Sequence, residues 1–198
     1  VERVIVTHAH RDHFGFVEGL REAGADLECC VHHDDAALVE DYEALLRSRI
    51  TGMTPLFVEF GVPASVARDL EADRIETLSL DLAEATPTRV DHRLAEGDRV
   101  EWKDWSLSVL HAPGHTPGHI VLEEEATGLL FTGDQVMAKA IPYAENFYVD
   151  GSPDPADPLR RRPRFRGLVE MRKALRRLRT RPARLLLPGY GGPLRRAE

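Results

Sequence analysis

The 198-residue chain is poor in cysteine, has no long apolar run and carries no internal repeat. Its two cysteines, Cys29 and Cys30, are adjacent and cannot close an ordinary disulfide with each other. A disulfide framework is thereby excluded, and a reducing, cytoplasmic setting is the expectation. No stretch approaches the roughly 20 apolar residues that a membrane-spanning helix requires. The opening residues, VERVIVTHAH, read as folded structure and not as a leader. What the chain does contain is ordinary for a globular protein. Hydrophobic residues make up 42% and charged residues 30%, too apolar a mixture for a disordered segment. The length suits one domain spanning 1–198.

The formal net charge of −7 conceals a split. Residues 1–159 hold 12 basic and 31 acidic side chains, whereas residues 160–198 hold 14 basic and 2 acidic ones. A basic tail on an acidic body suits a polyanion such as nucleic acid, or equally a solvated helix face paired with the acidic body. The cluster comprises Arg160, Arg161, Arg162, Arg164, Arg166, Arg172, Arg176, Arg177 and Arg179. Three of these, Arg172, Arg176 and Arg179, fit the outer face of a helix whose inner face is Leu168, Met171, Leu175 and Leu178. The solvated face is the favoured reading, and a nucleic-acid partner the minor one.

Patterning along the chain predicts a layered α/β fold. Val1 to Thr7 reads as a buried strand and His8 to His13 as a loop. A helix over Phe14–Ala23 follows, capped by Asp12 and stopped by Gly24, and then a strand over Leu27–Val31. Asp34–Arg49 is helical, and Thr54–Leu70 forms one or two further helices broken near Gly61-Val62-Pro63; Ile75–Thr88 is ambiguous. Short strands are expected at Val100–Trp102, Ser106–Leu110, Ile120–Glu123, Leu129–Thr132 and Arg184–Leu187. Ile141–Pro158 reads as an irregular loop.

The chemistry is concentrated in Thr7-His8-Ala9-His10-Arg11-Asp12-His13. Three imidazoles and a carboxylate directly after an apolar strand form a strong metal-ligand signal. On extended backbone His8 and His10 point to the same side and can share an ion. Two later segments match it, Ala112-Pro113-Gly114-His115-Thr116-Pro117-Gly118-His119 and Phe131-Thr132-Gly133-Asp134. Together, in this order, the three segments resemble the metallo-β-lactamase superfamily. The resemblance spans most of the chain and implies an αββα sandwich with a metal site at one edge of its two sheets. Residues 34–90 would then be a helical insertion that shapes the substrate pocket, with Tyr42, Met53, Leu56, Phe57 and Phe60 available as an apolar lining.

Carried over residue by residue, the resemblance implies that His8, His10 and His115 hold a first metal. Asp12 and His13 hold a second, and Asp134 bridges both. A hydroxide between the ions would be the nucleophile, with Asp12 orienting it as the catalytic side chain. The cofactor implied is Zn2+, one ion or two, with iron or manganese as alternatives. His119 is expected to support the site structurally. Tyr190 in Leu187-Pro188-Gly189-Tyr190-Gly191 occupies the slot of the family's final His ligand, and a phenol is a poor zinc ligand. On chemistry alone, His33 is the first stand-in for that missing donor. The family's first strands and a trailing segment are expected to be absent from this chain, and an exposed sheet edge would favour a homodimer. Phe16 replaces a glycine common after the motif.

The fold does not select the reaction. With Asp at position 134 the chain resembles the thioesterase (glyoxalase II), lactonase and phosphodiesterase side of the superfamily, and the apolar residues of the 34–90 segment favour hydrolysis of a small ester, thioester or lactone. The alternatives are a member without turnover, a phosphodiesterase or nuclease, and a sulfur dioxygenase using one iron on His8, His115 and Asp134.

Overall fold

The computed structural model describes residues 2–149 and 163–195. Its elements in chain order are β1 (Arg3–Val6), α1 (Arg11–Phe14), α2 (Val17–Glu22), β2 (Glu28–His32), α3 (His33–Glu40), α4 (Tyr42–Glu59), α5 (Ala64–Ala83), β3 (His92–Leu94), β4 (Arg99–Trp102), β5 (Trp105–His111), β6 (Ile120–Glu124), β7 (Leu129–Gly133), β8 (Asn146–Tyr148), β9 (Arg164–Arg166), α6 (Gly167–Arg179), β10 (Leu185–Pro188) and β11 (Leu194–Arg195). One sheet has the order β1-β2-β3 and is parallel throughout; the other has the order β11-β10-β7-β6-β5-β4. A third ladder pairs β8 with β9.

Three apolar clusters reveal the layers. Val6, Phe14, Val31, Leu38, Val39 and Tyr42 pack the helices onto the outer face of the small sheet. Cys30, Leu94, Val100, Val109, Ile120 and Leu122 fill the space between the sheets. Leu110, Val121, Leu130, Ala174 and Leu178 seat α6 on the outer face of the large sheet. Helix, sheet, sheet, helix is therefore the order of the stack, the αββα sandwich expected from the motifs. Strand β6 lies inside the large sheet between two packed layers, and all five of its residues are buried. Its apolar run Ile120-Val121-Leu122 reflects that double burial.

Several local expectations are corrected. Asp12 does not cap a helix over Phe14–Ala23; it lies inside α1, and Gly15 separates α1 from α2. A Cβ at position 15 would collide with the backbone oxygens of Glu84 and Arg11, so the close approach of the helical segment sets the break. Helix α4 runs without interruption to Glu59 although Pro55 lies within it. Proline removes the partner of the carbonyl four residues earlier, and Thr51 is exposed, so water can serve that oxygen. The ambiguous Ile75–Thr88 belongs largely to α5, which continues to Ala83. Of the loop expected over Ile141–Pro158, Asn146–Tyr148 forms a strand, while 150–158 lies outside the described residues, as do Arg160, Arg161 and Arg162. Helix α6 turns Met171, Ala174 and Leu178 inward and leaves Leu168 65% exposed, so its buried stripe is rotated from the expected one.

Candidate metal centre

The segments that carry the motifs converge where the ends of the two sheets meet. The backbone N–H of Ile120 donates to the carbonyl of Thr7 at 2.9 Å, which joins the sheets beside His8. The stretch after β1 supplies His8 and His10, and α1 supplies Asp12 and His13. His115 and His119 come from the β5–β6 connection, and Asp134 follows β7. The β10 end is locked beside it, with the Gly189 N–H donating to the Gly133 carbonyl at 2.8 Å. Gly189 is required there, because a Cβ would collide with Asp134 Oδ1 and lie 3.0 Å from His13 Cε1.

Two triads of donors form, His8 with His10 and His115, and His8 with His13 and Asp134, each set within 4.8 Å. His8 Nε2 lies 3.1 Å from His10 Nδ1. The carboxylate of Asp134 reaches both triads, with Oδ1 3.5 Å from His13 Nε2 and Oδ2 3.5 Å from His115 Nε2. His13 Nε2 is also 3.5 Å from Asp12 Oδ2. The three separations of 3.5 Å are too long for good hydrogen bonds. They match the roughly 3.3 Å between donors around a tetrahedral ion with bonds of about 2.0 Å.

Tautomers follow from the partners. His115 Nδ1 lies 2.7 Å from the carbonyl of Tyr143, which can only accept, so Nδ1 carries the proton and Nε2 presents a lone pair to the centre. His119 Nε2 accepts from the Asp134 N–H at 3.1 Å and thereby fixes the backbone of that residue. Burial, reinforced by neighbouring imidazoles, holds His8, His115 and His119 below the ordinary histidine range. They are thus neutral at pH 7, the form in which imidazole binds metals. His13 Nε2, His115 Nε2 and Asp134 Oδ1 are buried and have no hydrogen-bond partner among the described residues. Orphaned polar atoms of this kind are costly unless something else satisfies them, and the Asp134 carboxylate approaches both imidazole nitrogens, to 3.5 Å in each case. The donor set fits a divalent metal.

A family model, the metallo-beta-lactamase superfamily, matches residues 1–190. The chain belongs to that superfamily. A probable metallo-hydrolase of Bacillus subtilis, YqjP, is 27% identical over 195 residues, covering 98% of this chain and 55% of the relative. The acyl-coenzyme A thioesterase MBLAC2 of Gallus gallus is 30% identical over 149 residues, 71% of this chain and 45% of the relative. The chain thus spans about half the length of these relatives. Among solved structures, the metallo-beta-lactamase family protein TTHA1429 of Thermus thermophilus superimposes with a TM-score of 0.69 at 23% identity, covering 98% of this chain and 56% of the other.

A cleft opens beside the centre. Its volume is about 690 Å³, and His10, Asp12 and Tyr190 line its floor. One wall is largely apolar, built by Leu38, Tyr42, Leu46, Ile50 and Met53 of α3 and α4. Of the predicted lining, Tyr42 and Met53 are present. Leu56 is instead buried, and Phe60, 60% exposed, does not line the cleft. Phe57 does not line it either. The opposite wall is ionic, with Arg11 paired to Asp81 and to Glu84, and Arg74 beside Asp81 at 3.5 Å.

Tyr190 occupies its slot in an unexpected way. Its hydroxyl donates to Asp12 Oδ2. The phenol therefore engages the carboxylate beside His13. His33, the proposed stand-in donor, is not at the centre; it lies at the start of α3 against His32 and Asp34. The described arginines of α6 do not line the cleft. Arg177 instead hydrogen-bonds the carbonyl of His111 and lies 3.3 Å from Glu96, and Arg181 pairs with the buried Glu123 at 3.2 Å.

Supporting residues without any sequence motif complete the site. Asp35 is fully buried and accepts from the Ala9 N–H at 2.9 Å, the Thr116 hydroxyl at 2.6 Å and the Gly118 N–H at 2.7 Å. One carboxylate thus ties the His8–His10 segment to the His115–His119 loop. Gly118 is needed for this contact, since a Cβ would press on Asp35 at 2.6 to 2.7 Å. Glu145 lies 3.3 Å from His10 Nε2, on the ring edge away from His8.

Proposed function

We propose that the chain is a metal-dependent hydrolase of a small ester, thioester or lactone. The observation that carries this reading is the set of three partnerless, buried atoms, His13 Nε2, His115 Nε2 and Asp134 Oδ1, beneath a cleft with an apolar wall. In this reading His8, His10 and His115 hold one ion, His13 and Asp12 contribute to a second, and Asp134 is shared. The nitrogen-rich first set suits Zn2+, with iron or manganese as the alternatives. A divalent ion bound there supplies Lewis acidity and lowers the pKa of a coordinated water.

The remaining tasks fall to the protein. The apolar wall of Leu38, Tyr42, Ile50 and Met53 receives the acyl portion of the substrate and excludes water. Asp12, whose side chain is 45% exposed on the cleft floor, orients the attacking water and receives its proton. The hydroxyl of Tyr190 shares that carboxylate and keeps it aimed inward. The ionic wall around Arg11 and Arg74 meets the polar leaving group. The metallo-hydrolase and thioesterase relatives support this class of reaction without fixing the substrate.

The test combines elemental analysis of the purified chain with hydrolysis of p-nitrophenyl acetate and a short acyl-coenzyme A. At least one equivalent of metal, with turnover abolished by a chelator and restored by Zn2+, is the expected result. A chain that binds no metal and hydrolyses neither compound would overturn the reading.

A further inference from the structure

A second group of metal-competent side chains lies outside the cleft. His32 ends β2, His33 and Asp34 open α3, and His111 ends β5. Since β2 belongs to the small sheet and β5 to the large one, these four side chains bridge the two sheets. The Asp34 carboxylate is their common neighbour. Its Oδ1 is 3.0 Å from His33 Nδ1, and its Oδ2 is 3.8 Å from His32 Nδ1 and 3.7 Å from His111 Nε2. The donors of His32, His33 and Asp34 all fall within 4.8 Å of one another. None of the four lines the cleft.

The arrangement is graded from inside to outside. His32 is 1% exposed and stacked on His111 with ring centres 4.0 Å apart. The side chains of His33 and Asp34 are 53% and 42% exposed, leaving an open path for an ion. Stacking and helix capping account for His32, whose Nδ1 accepts from the Asp34 N–H at 3.3 Å. They do not account for an exposed imidazole turned onto the same carboxylate. Two imidazoles and one carboxylate lie within reach of one another, with the His111 imidazole beside the same carboxylate, and imidazole with carboxylate is a donor combination that suits a borderline divalent ion.

We propose that His32, His33 and Asp34 form a second, separate site for a borderline divalent transition metal, which draws in the neighbouring His111 and so clamps the small sheet to the large one. His111 couples the clamp to the candidate centre. Its Nε2 lies 2.8 Å from the carbonyl of Pro117, in the loop that carries His115. Drawing His111 onto an ion exchanges that bond and is felt in the loop.

The test uses the full chain, stripped of metal and titrated with Zn2+ by calorimetry. A His8→Ala/Asp134→Asn variant removes the candidate centre, and one equivalent of Zn2+ should still bind to it. Adding His33→Ala/Asp34→Asn to that background should abolish the remaining equivalent, and in the wild-type chain should lower the stoichiometry by one. Both positions are solvent-facing, and metal-free circular dichroism checks the fold. Independently, Zn2+ added to the centre-blocked variant should shift the imidazole NMR signals of His32, His33 and His111. Unchanged stoichiometry after His33→Ala/Asp34→Asn, or unshifted imidazole signals, would overturn the proposal. Loss of metal from the centre alone would bear on the hydrolase reading and leave the clamp standing.

Discussion

Arg49 grips both carboxylate oxygens of Glu145, at 2.8 and 2.9 Å, and Glu145 in turn meets His10 Nε2. The guanidinium comes from α4 and the carboxylate from the segment before β8, so α4 reaches the candidate ligand His10 through this pair. Both partners are mostly buried, with side chains 17% and 11% exposed, and the single Nη1 nitrogen makes charge-assisted hydrogen bonds to both oxygens. A carboxylate behind a ligating histidine fixes its ring orientation and raises its basicity.

Glu145→Gln should therefore weaken metal binding by roughly 10- to 100-fold, the range typical for loss of such a partner. The fold should survive, because the backbone of Glu145 keeps its bonds to Gly114 and Gly167. Competition with a chromophoric chelator measures the affinity, and Arg49→Met should reproduce part of the loss. Unaltered affinity in both variants would show that His10 needs no support from this side.

Asp35 gives a second prediction. An amide at this position must turn its NH2 toward one of the donors that the carboxylate now accepts. Asp35→Asn should destabilise the chain by about 1–3 kcal/mol, the cost of leaving a buried donor unsatisfied. It should also lower metal affinity, because the Ala9 and Thr116–Gly118 backbones are held by the same group. Urea denaturation of the metal-free protein separates the first effect from the second.

The cysteines yield a prediction about reactivity. Cys29 is completely buried and Cys30 is 2% exposed. Burial pushes both thiols up to about 11. At pH 8 the thiolate fraction in the folded chain is then on the order of one in a thousand, and the thiolate is the reacting form. Native protein should give almost no reaction with Ellman's reagent at pH 8, whereas protein in urea should give two equivalents. Rapid labelling of the native chain would contradict the packing of β2 between two apolar clusters.

The centre was more legible in the sequence than the walls around it. Histidines and aspartates spaced within a strand-to-helix turn announce their chemistry locally, and the structure brings His8, His10, Asp12, His13, His115 and Asp134 to one place. The strand and helix patterns pointed to a layered α/β fold, and the resemblance carried by the motifs implied its αββα order. Asp35, Arg49 and Glu145 left no comparable trace, since their partners lie 26 to 135 residues away and ordinary acidic and basic residues look alike when paired and when solvated. The helical insertion was read only coarsely for a different reason. Its long helices carry apolar residues on several sides, and Leu80 remains 67% exposed, so periodicity could not identify one buried face.

Tyr190 brings the sequence and the geometry to a single experiment. As the residue after Gly189 it sits at the mouth of the centre, and its hydroxyl is bound to Asp12 Oδ2. That bond occupies an acceptor of a carboxylate that would otherwise be free for a metal beside His13. Tyr190→Phe removes the competing proton donor without adding a ligand. It should raise occupancy of the His13 side modestly and lower turnover, since Asp12 loses its orientation. Tyr190→His supplies a neutral imidazole, a far better donor than a phenol. Its second-site occupancy should rise toward a full equivalent, measurable by elemental analysis after dialysis. Equal stoichiometry in wild type, Tyr190→Phe and Tyr190→His would mean that position 190 does not govern the second ion at all, and that Asp12, His13 and Asp134 alone decide how much metal the chain retains.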